Sequence, residues 1–404
     1  MKGHIAVVNA GSSSVKFSIF DINSGDPRFI YKGKVTGIGA AQGHFLAQNA
    51  NLESIEDQLV TSAGEPLTHQ QAFSMLQQWV TERHEPGDII AVGHRVVHGG
   101  TNYTTPVVVD ESVVHELEKL CPLAPLHQPH NLKAIRAVHD INPDLLQVAC
   151  FDTAFHHTQL ENEQLFALPQ ELRDKGIRRY GFHGLSYEYI ASVLHEYVGD
   201  DADKNVIVAH LGNGASMCAM QKRQSVATTM GFTALDGLPM GTRCGALDPG
   251  VVLYLIGELG MKTDQVTELL YRKSGLFGLS GMSNDMRHLL ISDDANAKRA
   301  VDFYIHRIKR ETGALTAVMD GLDVLVFTGG IGANAATIRQ GVCEGLKHLG
   351  IEIDAEANNT GQSKISTNDS AVSVCVIPTY EGLMIARQAY QILLQQYEVA
   401  TGND

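Results

Sequence analysis

The stretch HIAVVNAGSSSVKFSIFD, residues 4–21, decides the fold of the first part of the chain. Two apolar runs, 5–8 and 15–20, flank a polar turn of small residues, and Lys16 follows the turn. This pattern predicts a β-hairpin whose turn presents hydroxyl and backbone N–H groups. Such a turn favours an anion, and a lysine adds a positive charge for phosphate. The alternative is an ordinary solvent loop. The P-loop sequence GxxxxGK[ST] does not occur in the chain.

Length and composition restrict the class of protein. The chain has 404 residues, which fits two domains, and 44% of them are hydrophobic. Its formal net charge of −14 argues against nucleic acid or an anionic membrane as a partner. A site for an anionic substrate must therefore concentrate positive charge locally. Six cysteines without a CxxC pair, no leader peptide pattern and no long apolar run predict a cytoplasmic protein with free thiols.

Apolar periodicity predicts the main elements of the first part of the chain. Residues 31–67 read as further antiparallel strands and loops. A helix is expected at 69–84, with Thr68 as its cap. The remaining predicted elements are a strand at 89–97, helices at 110–120 and from 129–138, a strand at 145–151 that ends before Asp152, and a helix at 381–396.

The pattern then begins again in the second half. Residues 206–220 form another apolar run, glycine-rich turn and apolar run. Residues 322–332 form another buried strand followed by a glycine loop, as 145–151 does before its polar loop. This predicts duplicated α/β domains that face one another across a cleft. Ligands bind at the carboxyl ends of parallel strands in such domains.

A few polar residues in these loops could carry chemistry. Arg95 and Arg243 are each followed by glycine or small residues, and a guanidinium binds carboxylate or phosphate through a planar fork. Surface ion pairs are the alternative for either arginine.

Asp152 and Glu381 each follow an apolar strand, where they could bind Mg²⁺ or cap a helix. Turn-like contexts also surround four histidines: His98, His127, His183 and His210. No HExxH or similar spacing occurs, which disfavours a zinc site.

Ten motifs together resemble the acetate kinase family. They occur in the family's order and extend from residue 9 to residue 381: NAGSSSVKF, HRVVHGG, PLAPLH, FDTAFH, RRYGFHG, HLGNG, MGTRCG, SNDMR, FTGGIG and IPTYE. The resemblance implies duplicated ribonuclease H-like domains of the actin, Hsp70 and sugar kinase type around an interdomain ATP cleft. It implies the reaction ATP + acetate ⇌ ADP + acetyl phosphate, with Mg²⁺ or in its place Mn²⁺. It also implies a homodimer.

The resemblance assigns the reacting groups position by position. Arg95 and Arg243 match the arginines that hold the acetate carboxylate and the moving phosphoryl group. His183, with Arg243, matches the transition-state stabiliser, and Asp152 matches an essential aspartate. The small apolar pocket for the acetate methyl group matches three residues: Val97, Leu126 and Phe182. His127 matches a further active-site position.

The resemblance also assigns the nucleotide and metal positions. Ser12 and Lys16 match the phosphate-binding region, and Asn9 and Glu381 match the magnesium positions. The remaining ATP-binding positions are His210, Leu211, Gly212, Asn213, Gly214, Asp285, Met286, Arg287, Gly330, Ile331, Gly332 and Asn334.

Departures from the family pattern lie close to these positions. Ala333 replaces a glutamate in the adenosine loop, and Gly382 follows Glu381 where a second glutamate is usual. Leu185 and Tyr187 replace Thr and His near His183. Ala234 stands where proline commonly lines the acyl pocket, so we expect measurable activity on propionate with acetate preferred.

The chemistry of acetate agrees with the assigned charges. Acetate is already deprotonated at neutral pH, so its phosphorylation needs no general base. Repulsion between the carboxylate and ATP must instead be suppressed by cations. Asp152 is therefore expected to orient Arg95 or a magnesium-bound water.

Three other functions are weighed against an acetate kinase. The nearest is a propionate or broader short-chain carboxylate kinase. A nucleotide-driven binding protein of the Hsp70 or actin type would need an additional domain or filament surfaces. A sugar kinase would need an aspartate base for a neutral hydroxyl. The expected domains are an actin-like ATPase-type domain, 1–152 with 384–404, and a nucleotide-binding domain, 153–383.

Overall fold

The computed structural model describes residues 2–61, 65–85 and 87–402. The chain divides into two compact units, Met1–Ala154 with Tyr380–Asp404 (unit 1) and Phe155–Thr379 (unit 2). The domain limits expected from the sequence stay a prediction, and their ends at residues 1 and 403–404 lie outside the described residues.

Unit 1 is built on a mixed sheet whose described part has eight strands. The opening stretch forms the predicted hairpin, β1 (His4–Ala10) and β2 (Ser14–Asp21), closed by a hydrogen bond from Gly11 N to Ser14 O of 2.8 Å. The strand order is β5-β4-β3-β2-β1-β6-β8-β7, in which β1, β6 and β8 are parallel neighbours. The other strands are β3 (Arg28–Thr36), β4 (Gln42–Asn49), β5 (Ser54–Thr61), β6 (Ile89–Val96), β7 (Val107–Val108) and β8 (Leu146–Phe151).

Four helices pack on this sheet in the described part of unit 1. They are α1 (His69–Thr81), α2 (Glu111–Lys119), α3 (Gln128–Ile141) and α16 (Glu381–Thr401). Thr68 caps α1 as predicted, in a capping box with Gln71. The C-terminal α16 packs on β1, β6 and β8. Gly93 permits this packing, because a Cβ atom there would lie 2.6 Å from Ile385 Cγ2.

Unit 2 contains a second mixed sheet, of five strands within the described residues. Its strands are β9 (Val206–Leu211), β10 (Ala215–Gln221), β11 (Gln224–Thr228), β12 (Val324–Thr328) and β13 (Ser373–Val376). Its helices are α4 (Glu161–Gln164), α5 (Gln170–Arg173), α6 (Gly184–Val193), α7 (His195–Val198), α8 (Pro249–Gly257), α9 (Thr263–Arg272), α10 (Gly275–Ser280), α11 (Met286–Leu290), α12 (Ala295–Val318), α13 (Gly329–Asn334), α14 (Ala336–Glu344) and α15 (Ala355–Asn359). The central strands of this sheet are continuous apolar runs that are buried along their whole length, as in β9 and β12.

The two sheets share one strand pattern. In unit 1 the order β3-β2-β1-β6-β8 joins two antiparallel pairs to two parallel pairs, and β11-β10-β9-β12-β13 repeats it in unit 2. This repeat agrees with the duplication expected from the sequence. One detail of the expectation is wrong. The strand at 145–151 is β8, whose place in the strand order corresponds to that of β13. The place of β12 corresponds to that of β6. Strand order within a sheet depends on tertiary pairing, which a linear comparison of loops does not contain.

Two predictions from composition can be compared with the fold. All six cysteines are described and free, and four of them are buried: Cys150, Cys218, Cys343 and Cys375. Within the described ranges, the helices are too short or too polar to cross a lipid bilayer.

Candidate active site

A buried arginine–carboxylate cluster lies at the carboxyl ends of the parallel strands in unit 1. Arg95, near the end of β6, donates from Nε to Asp152 Oδ1 at 3.0 Å and from Nη2 to Oδ2 at 2.7 Å. Its Nη1 lies 3.5 Å from Glu381 Oε2, in the first turn of α16. The side chain of Asp152 is 3% exposed and that of Arg95 20%. The surface ion pair considered for Arg95 is therefore wrong, since this pair is largely buried.

Burial and charge act in opposite directions in this cluster. Burial raises the pKa of the Asp152 carboxyl group, and the guanidinium of Arg95 opposes that shift. Burial alone would lower the pKa of Arg95, but the charges of Asp152 and Glu381 raise it above its ordinary value. Arg95 therefore keeps its positive charge and its planar fork in a fixed orientation.

The opening hairpin lies beside this cluster. In the sheet register, Asn9 of β1 faces Lys16 of β2, and Val8 pairs with His94 one residue before Arg95. Asn131 of α3 connects the two strand ends, because its side chain accepts from Val97 N at 3.0 Å and donates to Ala10 O at 2.8 Å. The hairpin turn and the end of β6 are thus held at one edge of the sheet.

The oxygen donors at this edge fit a hard divalent cation. Asp152 and Glu381 supply carboxylates, and Asn9 at the end of the adjacent strand supplies an amide oxygen. Tyr380, and not Glu381, is the N-cap of α16, so the helix-cap alternative is wrong for Glu381. The Asp152 side chain binds Arg95.

In unit 2, His183 lies in a strained position before α6. Its φ of +61° is left-handed, a conformation that is uncommon for residues other than glycine. Its Nδ1 is hydrogen-bonded to Ser216 Oγ at 2.8 Å, and the Tyr187 hydroxyl lies 2.5 Å from the same oxygen. Tyr187 is fully buried, and burial raises the pKa of its hydroxyl well above its usual value. The departure from the family pattern at Tyr187 thus supports His183 through Ser216.

His210, Gly214 and Arg243 adjoin His183. The rings of His183 and His210 are stacked at 4.4 Å, and Ser186 Oγ is hydrogen-bonded to His210 Nδ1 at 2.8 Å. A Cβ atom at Gly214 would lie 3.1 Å from His183 Nε2 and 4.0 Å from Arg243 Nη1. Unit 2 therefore brings together three cationic or potentially cationic side chains predicted from the sequence.

Arg243 is held by the segment that departs from the family pattern at Ala234. Its Nη1 donates to Ala234 O at 2.9 Å. The backbone at position 234 therefore orients the arginine, whatever side chain it carries.

Eight of the positions predicted to bind ATP line one cavity of about 590 Å³ in unit 2. These eight are Gly212, Asn213, Asp285, Met286, Arg287, Gly330, Ile331 and Asn334. Asp285 caps α11 and pairs with Arg287 at 2.6 Å, and these hydrogen bonds lower the pKa of Asp285 to about 2. The volume falls within the range typical of pockets for small molecules.

The glycine loop beside this cavity follows β12 and forms α13. A Cβ atom at Gly329, whose φ is +77°, would lie 2.6 Å from Leu211 O, so this position requires glycine. Beneath the loop, the buried Arg339 donates to Gly332 O at 2.9 Å and to Ala333 O at 3.0 Å. The loop is therefore supported from within, although Ala333 replaces a glutamate.

The remaining predicted site residues lie in both units. Val97 and Leu126 of the acyl pocket belong to unit 1 and Phe182 to unit 2, so a shared pocket stays a prediction. Gly382 stands where the family usually has a second glutamate. A Cβ atom there would be in ordinary van der Waals contact with Ser18 Oγ, at 3.6 Å. The other assigned positions lie in these segments: Ser12 in the hairpin turn, His127 at the cap of α3, Leu211 at the end of β9 and Gly332 in α13.

Three supporting residues were missed by the sequence reasoning. Ser216 follows the predicted glycine turn, Asn131 lies within a predicted helix, and Arg339 lies beyond the nucleotide loop. Ser216 is a polar side chain in an otherwise apolar stretch, a signal that Asn131 and Arg339 lack, and the buried hydrogen bonds of all three are identified only after the fold is known.

The fold and these residues define an α/β protein of the duplicated actin and sugar kinase type. The sequence model of the Acetokinase family matches residues 4–387. The chain belongs to the acetokinase family. It is 50% identical to an acetate kinase of Rhodopseudomonas palustris over 398 residues, 97% of this chain and 99% of that protein.

Two solved structures of the same type are similar to the whole chain. One is an acetate kinase of Porphyromonas gingivalis, with a TM-score of 0.86 and 37% identity over 97% of this chain and all of that chain. The other is a propionate kinase of Francisella tularensis, with a TM-score of 0.89 and 36% identity over 96% and 99% of the two chains.

Proposed function

We propose that the chain catalyses reversible transfer of the γ-phosphoryl group of ATP to acetate, which gives acetyl phosphate and ADP by direct in-line transfer. Its membership of the acetokinase family carries this proposal. Acetate kinases of Rhodopseudomonas palustris are 50% identical to the chain, so a propionate kinase is not favoured.

The residues of unit 1 bind the acceptor in this proposal. Arg95 holds the acetate carboxylate, and Asp152 fixes the guanidinium through two hydrogen bonds. Asn9, Asp152 and Glu381 hold Mg²⁺, directly or through water, and Mn²⁺ can take its place. The cation supplies charge neutralisation at the phosphate oxygens. The acyl pocket consists of Val97, Leu126 and Phe182.

The residues of unit 2 bind the nucleotide and the group in transfer. The cavity beside α13 receives the adenosine. Ser12 and Lys16 of the hairpin contact phosphate in this proposal. His183 donates from Nε2 to a phosphoryl oxygen when its Nδ1 accepts the hydrogen bond from Ser216 Oγ. Arg243 neutralises charge on the same group. The chain acts in the cytoplasm as a homodimer, with unit 1 as the actin-like ATPase-type domain and unit 2 as the nucleotide-binding domain.

An acyl phosphate trap tests this function. The full chain is incubated with ATP, Mg²⁺, hydroxylamine and a panel of acetate, propionate, butyrate and glycerol. We expect hydroxamate from acetate, a smaller amount from propionate and none from glycerol. An added methylene changes discrimination by about 1–3 kcal/mol. Equal rates from acetate to butyrate, or ADP formation driven by glycerol, would contradict the proposal.

A further inference from the structure

A cluster of potential metal ligands lies at the opposite end of the unit 1 strands from Arg95. It consists of His4 at the start of β1, His84 after α1, and Asp88 just before β6. One ligand atom from each residue lies within 4.8 Å of the other two. His4 N also donates to Asp88 O at 2.7 Å, which fixes the two strand starts beside each other.

Two ring nitrogens of this cluster are buried without a partner. Within the described residues, His4 Nδ1 and His84 Nε2 have no hydrogen-bond partner. The two rings meet edge to face, with centroids 4.8 Å apart. A buried polar atom without a partner is unfavourable, and a metal ion is one of the few groups that satisfies two imidazole nitrogens at once.

The second nitrogen of His4 faces a carboxylate. His4 Nε2 lies 3.8 Å from Asp21 Oδ1, and the two side chains are 19% and 27% exposed. Metal-binding histidines commonly orient their other ring nitrogen toward a carboxylate, which fixes the tautomer and the ring. Asp21, whose Oδ1 also accepts from Asn23, must approach His4 by somewhat less than 1 Å to serve as the outer carboxylate of a metal site.

We propose that His4, His84 and Asp88 bind a divalent transition metal ion of the zinc type. Two imidazoles and one carboxylate are a common zinc ligand set, whereas Mg²⁺ prefers oxygen ligands alone. Zinc ligands lie at about 2.0–2.2 Å from the ion, so the three side chains must close by roughly 1 Å on binding. The sequence disfavoured zinc because these ligands come from separate segments, which folding brings together.

The bound ion stabilises unit 1 and takes no part in the phosphoryl transfer. It connects the end of α1 to the starts of β1 and β6, while Asn9 and Arg95 lie toward the other ends of those strands. Trp79 is the single tryptophan of the chain and is buried in α1, so its fluorescence reports the unfolding of this unit.

Zinc binding to the untagged 404-residue chain tests the proposal. The chain is stripped with a chelator and titrated with ZnCl₂ in excess Mg²⁺ by calorimetry. We expect one equivalent per chain and a higher melting temperature by Trp79 fluorescence. His84→Gln and Asp88→Asn should each lose both effects. Asp21→Asn should weaken binding about 10–100-fold.

A control variant and the phosphoryl transfer activity make the outcome decisive. His44 pairs with Asp57 at 2.5 Å on the surface of the same unit, so His44→Gln removes a histidine–aspartate pair elsewhere and should bind zinc normally. Retained acetate kinase activity shows that the His84 and Asp88 variants are folded. Absence of micromolar zinc binding by the unsubstituted chain would overturn the proposal. Undiminished binding by folded His84→Gln and Asp88→Asn would overturn it equally.

Discussion

Replacing Asp152 by asparagine tests the buried pair with Arg95. Asparagine keeps the size of the side chain and one acceptor, but its amide N–H group faces a guanidinium N–H group. The Asp152 side chain is 3% exposed, so Arg95 loses a buried partner that water does not replace. Breaking such a pair costs about 3–5 kcal/mol, and we expect a loss near 3 kcal/mol because asparagine keeps one hydrogen bond.

A second arginine–aspartate pair in the same unit supplies a matched control. Arg387 donates to Asp26 at 3.0 and 2.9 Å through the same two-bond arrangement, but the Asp26 side chain is 64% exposed. Asp26→Asn should therefore cost less than about 1 kcal/mol. Urea unfolding of both variants is followed by the fluorescence of Trp79. Equal losses of unfolding free energy in the two variants would refute the reasoning from burial.

Kinetics of Asp152→Asn then test what the pair does for the reaction. We expect kcat/KM for acetate to fall about 100-fold, equivalent to ~2.7 kcal/mol, because Arg95 is no longer oriented. The concentration of Mg²⁺ needed for half-maximal rate should rise as well. A loss of rate with unchanged Mg²⁺ dependence would argue against a contact between Asp152 and the metal or its water. Asp26→Asn should leave both quantities unchanged.

Three further predictions concern unit 2. Tyr187→Phe removes the hydroxyl that supports His183 and should lower kcat about tenfold with an unchanged KM for ATP, since one buried hydrogen bond is worth about 1 kcal/mol; a higher KM with unchanged kcat would point to a merely structural role. Gly329→Ala should destabilise unit 2 by about 1–3 kcal/mol and weaken ATP binding, because alanine is strained at its positive φ. Gly313→Ala, where the added Cβ has no atom within 4 Å apart from its chain neighbours and the backbone of its own helix, is the control and should be neutral or stabilising in circular dichroism melts. Burial lowers the pKa of His156 to about 4 in the folded chain. In the unfolded chain His156 binds a proton below about pH 6.5, whereas in the folded chain it binds one only below about pH 4. Unfolding free energy should therefore fall by about 2 kcal/mol between pH 8 and pH 5 on account of this residue. His156→Gln should show a correspondingly shallower decline, and an unchanged slope would contradict the assignment.

Local signals in the sequence predicted much of the fold. The hairpin and α1 were predicted because their apolar periodicity, small-residue turn and Thr68 cap lie within a few residues of one another. The strand pattern repeated between the two sheets was expected from a repeated order of turns and buried runs. The predicted correspondence between β8 and β12 is wrong, because strands that are neighbours in the sheet are not always neighbours in the chain.

The candidate site was predicted less completely than the fold. Most assigned positions came from motifs, and the structure groups Arg95 with Asp152 and His183 with Arg243 within their units. The hydrogen bonds that hold these residues were not predictable, since the partners of His183 and Arg95 are distant in the sequence. A lone polar residue such as Ser216 does not reveal its partner until the chain is folded.

A structure of the full chain with ADP, Mg²⁺, aluminium fluoride and acetate is the most direct test of the central claim. Aluminium fluoride takes the place of the phosphoryl group between donor and acceptor. We expect His183 and Arg243 to contact the fluoride atoms, and Arg95 to contact the acetate carboxylate in line with them. Binding of acetate away from Arg95, or an analogue without contact to His183 and Arg243, would contradict the claim that these cations allow one anion to attack another.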